Sequence, residues 1–152
     1  MDFTGLTNEH MIYGTLFALS NRLQTYLDRM LPEITSKQHF LLIVLSLFKD
    51  TNPSLKEVAS AMGCSYQNVK RMADCLEKKG YLIIKRDAVD KRKYSLIMTD
   101  KIIEFSEKTD EESDKFMQDL YRGLSQEDLQ NTLNMLTKME QNLKQRTSSK
   151  GK

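Results

Sequence analysis

The chain has 152 residues, 39% of them hydrophobic and 29% charged, with a formal net charge of +2. That is a single domain's worth of sequence, long enough to bury a core and ordinary in composition for a soluble protein. The longest apolar-rich run, Phe40 to Phe48, is too short to cross a bilayer, and no charged N-region leads into an apolar stretch of the secretory kind, so no membrane partner and a cytoplasmic location are expected.

From about Asn8 to Leu31 the apolar residues Ile12, Leu16, Leu19, Leu23, Tyr26, Leu27 and Met30 share one broad helical face, which Pro32 ends. Thr35-Ser36-Lys37-Gln38 has the form of a capping box, in which the Thr hydroxyl and the Gln side chain each satisfy the other's backbone amide. The helix it opens carries Phe40, Leu41, Ile43, Val44, Leu45, Leu47 and Phe48. Being apolar on nearly all sides, it is expected at the buried centre of the domain. Asn52-Pro53 marks a turn.

A second capping box, Ser54-Leu55-Lys56-Glu57, starts a short helix with Leu55, Val58, Ala59 and Met62 on one face. Gly63 stands where a left-handed residue can end it, and Ser65 is a good N-cap for the next helix. That next helix turns Val69, Met72, Ala73 and Leu76 inward and closes at Gly80. Two short helices joined around Gly63-Cys64 have the spacing of a helix-turn-helix, whose second helix reads duplex DNA. The side chains it presents away from its apolar face are Tyr66, Gln67, Asn68, Lys70 and Arg71. Asn and Gln can each make two hydrogen bonds to adenine, and Arg or Lys can do so to guanine. Such residues also make an ordinary solvated helix face.

Tyr81 to Ile84 and Tyr94 to Met98 read as two strands. The tip between them, residues 85–93, contains Lys85, Arg86, Lys91, Arg92 and Lys93. A cationic tip directly after a helix-turn-helix suits a narrow groove walled by phosphates better than it suits a merely solubilising turn. Together these elements make a winged helix-turn-helix.

At this point the sequence resembles the multiple antibiotic resistance regulator (MarR) family. The resemblance rests on Met62-Gly63-Cys64-Ser65, Val69-Lys70-Arg71 and Leu76 to Leu82, and most of all on the wing, Asp87-Ala88-Val89-Asp90-Lys91-Arg92 followed by Leu96-Ile97-Met98-Thr99. It implies that the helix from Ser65 lies in the major groove, that Arg92 enters the minor groove and that Asp90 orients an arginine of the wing. Thr99 is followed by Asp100-Lys101-Ile102 where the family more often has a glycine, and Met98 stands where Leu is commoner.

Downstream, one helix is expected from near Thr99 to about Arg122. Gly123 breaks it, and Ser125 with Glu127 and Asp128 starts the last helix. On that helix Leu129, Leu133, Leu136, Met139 or Glu140, and Leu143 form a stripe that packs either within the chain or against a second copy. The resemblance implies the second: residues 1–31 and 100–146 as dimerisation helices flanking a DNA-binding lobe at 33–99. The expected fold is mainly α with a small β-hairpin wing, and residues 147–152 form a polar tail expected to be disordered. Charge is unevenly distributed: Tyr66 to Lys101 holds ten cations against five anions, whereas Glu104 to Asp119 holds two against seven.

No phosphate-cradling glycine loop, zincin motif or nucleophile elbow is present, so no enzyme activity and no cofactor are expected. Cys64 and Cys75 form no CxxC pair and the two histidines are far apart, which gives a metal site no basis; a filler role for Cys75 and a turn role for Cys64 are expected. The resemblance further implies a small aromatic or phenolic acid as effector, bound between the dimerisation helices and the reading lobe. Tyr13, Phe17 and His39 are candidates for lining that pocket, or for the core. The leading reading is a homodimeric DNA-binding transcriptional regulator on a pseudo-palindromic operator, acting as a repressor. A winged-helix protein adaptor that binds no DNA, or a constitutive architectural DNA binder, are the alternatives.

Overall fold

A computed structural model describes residues 5–48, 51–86 and 93–148. The elements in chain order are α1 (Asn8–Met30), α2 (Ser36–Ser46), α3 (Leu55–Met62), α4 (Tyr66–Lys78), β1 (Leu82–Arg86), β2 (Tyr94–Met98), α5 (Lys101–Leu120) and α6 (Gln126–Ser148). The chain forms two compact units, residues 1–109 and 110–152.

The first unit holds the winged helix. Both expected capping boxes are made: Thr35 Oγ accepts the Gln38 amide while Gln38 Oε1 accepts the Thr35 amide, and Ser54 with Glu57 do the same. Asp28 Oδ1 adds a further cap by accepting the Ser36 amide at 2.6 Å, which ties the end of α1 to the start of α2. Gly63 ends α3 at φ 63°, and Ser65 Oγ accepts the Asn68 amide to open α4.

The core is built around Leu41 and Leu45 of α2, Leu55 and Val58 of α3, Val69, Ala73 and Leu76 of α4, and Leu82 and Leu96 of the wing. Only one side of α2 joins it. Phe40, Ile43 and Leu47 are 46%, 45% and 73% exposed, which corrects the expectation of an all-round buried helix. The core occupies one side of α2, and the other side lies open in the single chain. None of the residues of α1 is buried either.

The wing is an antiparallel pair in register Leu82↔Met98, Ile84↔Leu96 and Arg86↔Tyr94. β1 therefore continues through Lys85 and Arg86, two residues into the expected tip, and Tyr81 precedes it. The hairpin gains a third partner on β2: the Leu96 amide donates to the Pro53 carbonyl at 2.9 Å, and Ser54 bridges Ser95.

Tyr81, 1% exposed, sits at a joint. Its hydroxyl donates to Glu33 Oε2 at 2.6 Å, its ring meets Phe105 edge-on at 5.7 Å, and Lys101 Nζ lies 4.5 Å over it. Lys79 Nζ donates to the Glu33 carbonyl and Lys101 Nζ to the Lys79 carbonyl. The turn after α1, the turn after α4 and the first turn of α5 are thus stitched together.

In the second unit, Ser125 and Asp128 cap α6 reciprocally, and the helix runs to Ser148, past the point where the tail was expected to begin. Residues 149–152 lie outside the described residues. No helix is long and apolar enough to cross a membrane among the described residues.

Candidate nucleic-acid interface and adjoining cavity

The outer face of α4 is set by its buried stripe. With Val69, Ala73 and Leu76 at 0% exposure, the 3.6-residue repeat places Gln67, Arg71, Asp74 and Lys78 on the opposite side. Gln67, Asn68 and Arg71 are exposed, as is Ser65 at the N-cap; Tyr66 is 41% exposed. Lys70 lies to one flank, half-buried, and pairs with Asp74 one turn on. Glu77 Oε1 accepts the Ile84 amide at 2.7 Å, so the end of α4 is fastened to β1. That contact joins residues of two elements and had no signature in either alone.

In the wing, Arg86 stands in β1 with its guanidinium carbon 5.9 Å from the Tyr94 ring centroid. Lys93 is exposed at the start of the returning strand, and its charge helps Ser54 hold the Glu57 carboxyl below its ordinary range, the Ser54 hydroxyl bond being the larger cause. Asp90, Lys91 and Arg92 lie outside the described residues.

Beside α4 lies a cavity of ≈ 950 Å³. Leu16, Leu19, Leu23 and Leu27 of α1 form one wall, Lys37, His39, Phe40 and Ile43 of α2 another, and Met62, Cys64, Asn68, Arg71, Met72 and Cys75 the third. Of the three residues proposed for such a pocket, His39 is brought to it. Tyr13 and Phe17 are not; their rings meet at a tilt with centroids 5.0 Å apart and stand 66% and 60% exposed, so they belong neither to the cavity nor to the core. Burial holds the His39 imidazole below its ordinary range, which favours the neutral ring. Asn68 and Arg71, expected on the reading face, reach the cavity as well because they sit at the edge between the outer face of α4 and its flank toward α1.

The two cysteines are half-buried and free, and both face this cavity. Separated by eleven positions along and before a helix that rises about 1.5 Å per residue, they are too far apart to bridge. No group of His, Cys, Asp and Glu that could hold a metal occurs among the described residues.

Residues 34–94, which run from the turn after α1 into the wing, match the model of the MarR family. The lobe is similar to the domain of that family. Solved structures extend the likeness over nearly the whole chain. A MarR protein from Peptoclostridium difficile is 24% identical, covers 96% of this chain and 94% of its own, and superposes with a TM-score of 0.74. MepR of S. aureus, solved as a DNA complex, is 26% identical over 86% of this chain and 97% of its own, with a TM-score of 0.74. BpsR of Bordetella bronchiseptica, whose DNA binding is regulated by 6-hydroxynicotinic acid, is 20% identical over 86% and 98%, with a TM-score of 0.72. A comparison with curated protein sequences finds no match. In this chain α4, the β1–β2 hairpin and the cavity belong to one unit, with the polar edge of α4 common to the helix face and the cavity wall.

Proposed function

We infer that this protein is a sequence-specific DNA-binding transcriptional regulator, acting as a repressor. The observation that carries the reading is the outer face of α4: Gln67, Asn68 and Arg71 stand exposed on a helix whose other side is locked into the core. These side chains have the donor and acceptor patterns that read base edges. Arg86, Lys91, Arg92 and Lys93 put cations into this stretch of the sequence for phosphate and the minor groove, and the family resemblance implies that Asp90 orients an arginine there. A winged-helix adaptor would present an apolar outer face here, and Tyr66 alone does not make one.

A homodimer on a pseudo-palindromic site would set two α4 helices about one DNA turn (~34–36 Å) apart. The exposed stripes of α1 (Ile12, Tyr13, Phe17) and α6 (Leu133, Leu136, Leu143) support pairing of two copies, since apolar faces of this extent mark interfaces. The cavity supports release by a small aromatic or phenolic acid, which acts by binding one of two lobe arrangements better than the other.

Footprinting on the region upstream of its own coding sequence tests the reading. A protected, two-fold symmetric site is expected, and Arg92→Ala should weaken binding to it by about 1–3 kcal/mol at fixed salt. The absence of any protected site, with binding only of the uniform, salt-labile kind, would overturn it.

A further inference from the structure

We propose that Glu77 is a positioning residue for DNA binding: its carboxylate clamps the hairpin to α4, so that helix face and wing meet the duplex at a fixed spacing. The proposal rests on the DNA-regulator reading and specifies how its two contact surfaces are held. Glu77 Oε1 accepts the Ile84 amide at 2.7 Å. Ile84 faces Leu96 across the hairpin, and the Leu96 amide donates to the Pro53 carbonyl at 2.9 Å. Both amides of this facing pair thus turn away from the opposite strand, as in a non-hydrogen-bonded pair of an antiparallel ladder. The hairpin is held at that one level from both sides, by α4 through Glu77 and by the turn before α3 through Pro53. Toward the lobe, Leu82 is buried; toward the tip, Lys85, Arg86 and Lys93 are exposed.

Glu77 is costly where it stands. It is next to last in α4, where the helix dipole disfavours an anion. It also lies in the stretch from Tyr66 to Lys101 that gathers cations, where a carboxylate opposes the approach of phosphate. The bond to β1 accounts for it, since without Glu77 the half-buried Ile84 amide would lose this partner. Lys70, Asp74 and Glu77 follow at spacings of four and three along one flank of α4, and Lys70 pairs with Asp74 there. Asn68, Met72 and Cys75 lie on the opposite flank, toward the cavity. The hairpin-side flank is therefore committed to contacts within the lobe, and Gln67 and Arg71 on the outer side remain for the duplex. The clamp fixes the spacing between that outer side and the cations of the hairpin, so less freedom is lost when both engage DNA.

The experiment compares the full-length wild type with Glu77→Gln and Glu77→Ala on the footprinted duplex, with thermal melts showing all three folded. Removing an exposed anion should by itself strengthen binding to DNA. Glu77→Gln loses the charge and keeps an acceptor oxygen, so it should bind as tightly as wild type or tighter. Glu77→Ala loses both and should bind about fivefold more weakly despite its lost charge, the size expected for one hydrogen bond. At saturation that variant should still protect guanine N7 from methylation in the major groove, while its hydroxyl-radical protection along the minor groove falls. In the free protein the Ile84 amide should exchange with solvent about tenfold faster in Glu77→Ala than in the other two. An Ala variant that binds as tightly as the Gln variant, a parallel loss of protection in both grooves, or equal Ile84 exchange in all three proteins would each overturn the proposal. If the wild type protects no site, the DNA-regulator reading fails and the positioning role with it, and the Ile84 exchange still decides whether Glu77 holds the hairpin.

Discussion

Tyr81 joins three turns of the lobe through one side chain, and its partner Glu33 lies 48 positions away. The Tyr81 hydroxyl holds the Glu33 carboxyl below its ordinary range, with Lys101, Lys108 and Lys79 adding smaller contributions against the opposing effect of burial. A carboxylate depressed in the folded state stabilises the fold at pH above its unfolded value of 4.5, and that support fades as pH falls through the lower folded value. Tyr81→Phe should therefore be less stable than wild type at neutral pH, and the gap between their melting temperatures should narrow on acidification below 4.5. A gap independent of pH would mean that the hydroxyl acts through packing alone. Burial and the neighbouring Glu33 push the Tyr81 phenol up, so it stays a donor throughout this range. None of this was visible in the chain, because a hydrogen bond between residues so far apart leaves no spacing signal. The caps were visible, because Ser54 and Glu57, or Thr35 and Gln38, meet within one turn of the same helix.

At the scale of elements, local chemistry fixes boundaries well and tertiary packing fixes faces. Gly63 illustrates the first. It ends α3 at φ 63°, and a Cβ added there would meet nothing within 4 Å. The cost of Gly63→Ala is then conformational, about 1–2 kcal/mol, and should appear as a lower urea midpoint with an unchanged slope. A neutral substitution would mean that the turn relaxes freely. Helix α2 illustrates the second. Its composition reads as buried on all sides, yet Phe40 and Ile43 face the cavity and Leu47 is the most exposed of the three. A run of apolar residues cannot say whether its outer side meets a core, a ligand space or another chain. β1 was read short for a related reason: Lys85 and Arg86 look like tip residues, but their backbones pair with Ser95 and Tyr94. Tyr13 and Phe17 show the limit again, since aromatic residues on a helix fit a pocket, a core or an interface equally well until the packing is known.

At the scale of the whole molecule, the chain leaves apolar area open on α1 and along α6, where Leu133, Met135 and Leu143 are 58%, 60% and 66% exposed. Buried in a dimer of ordinary interface size, stripes of this kind would supply its apolar centre. A chain truncated before Ser125 should sediment as a monomer where the full chain sediments as a dimer; a truncated dimer would remove α6 from that role. Charge follows the same division. The cations gather between Tyr66 and Lys101 and the anions between Glu104 and Asp119, so a negatively charged polymer is drawn to the first stretch and repelled by the second. DNA binding should accordingly weaken steeply with salt, and the slope of log affinity against log salt counts the phosphates engaged.

The short partner that Pro53 and Ser54 give to β2 has a further effect. Proline offers a carbonyl and no amide hydrogen, so it accepts from Leu96 but cannot extend the ladder. The edge of the wing sheet on that side is thereby closed to strand addition by another chain. An uncovered strand edge is an open template for aggregation; here one buried imino acid removes that template along the stretch of β2 it covers.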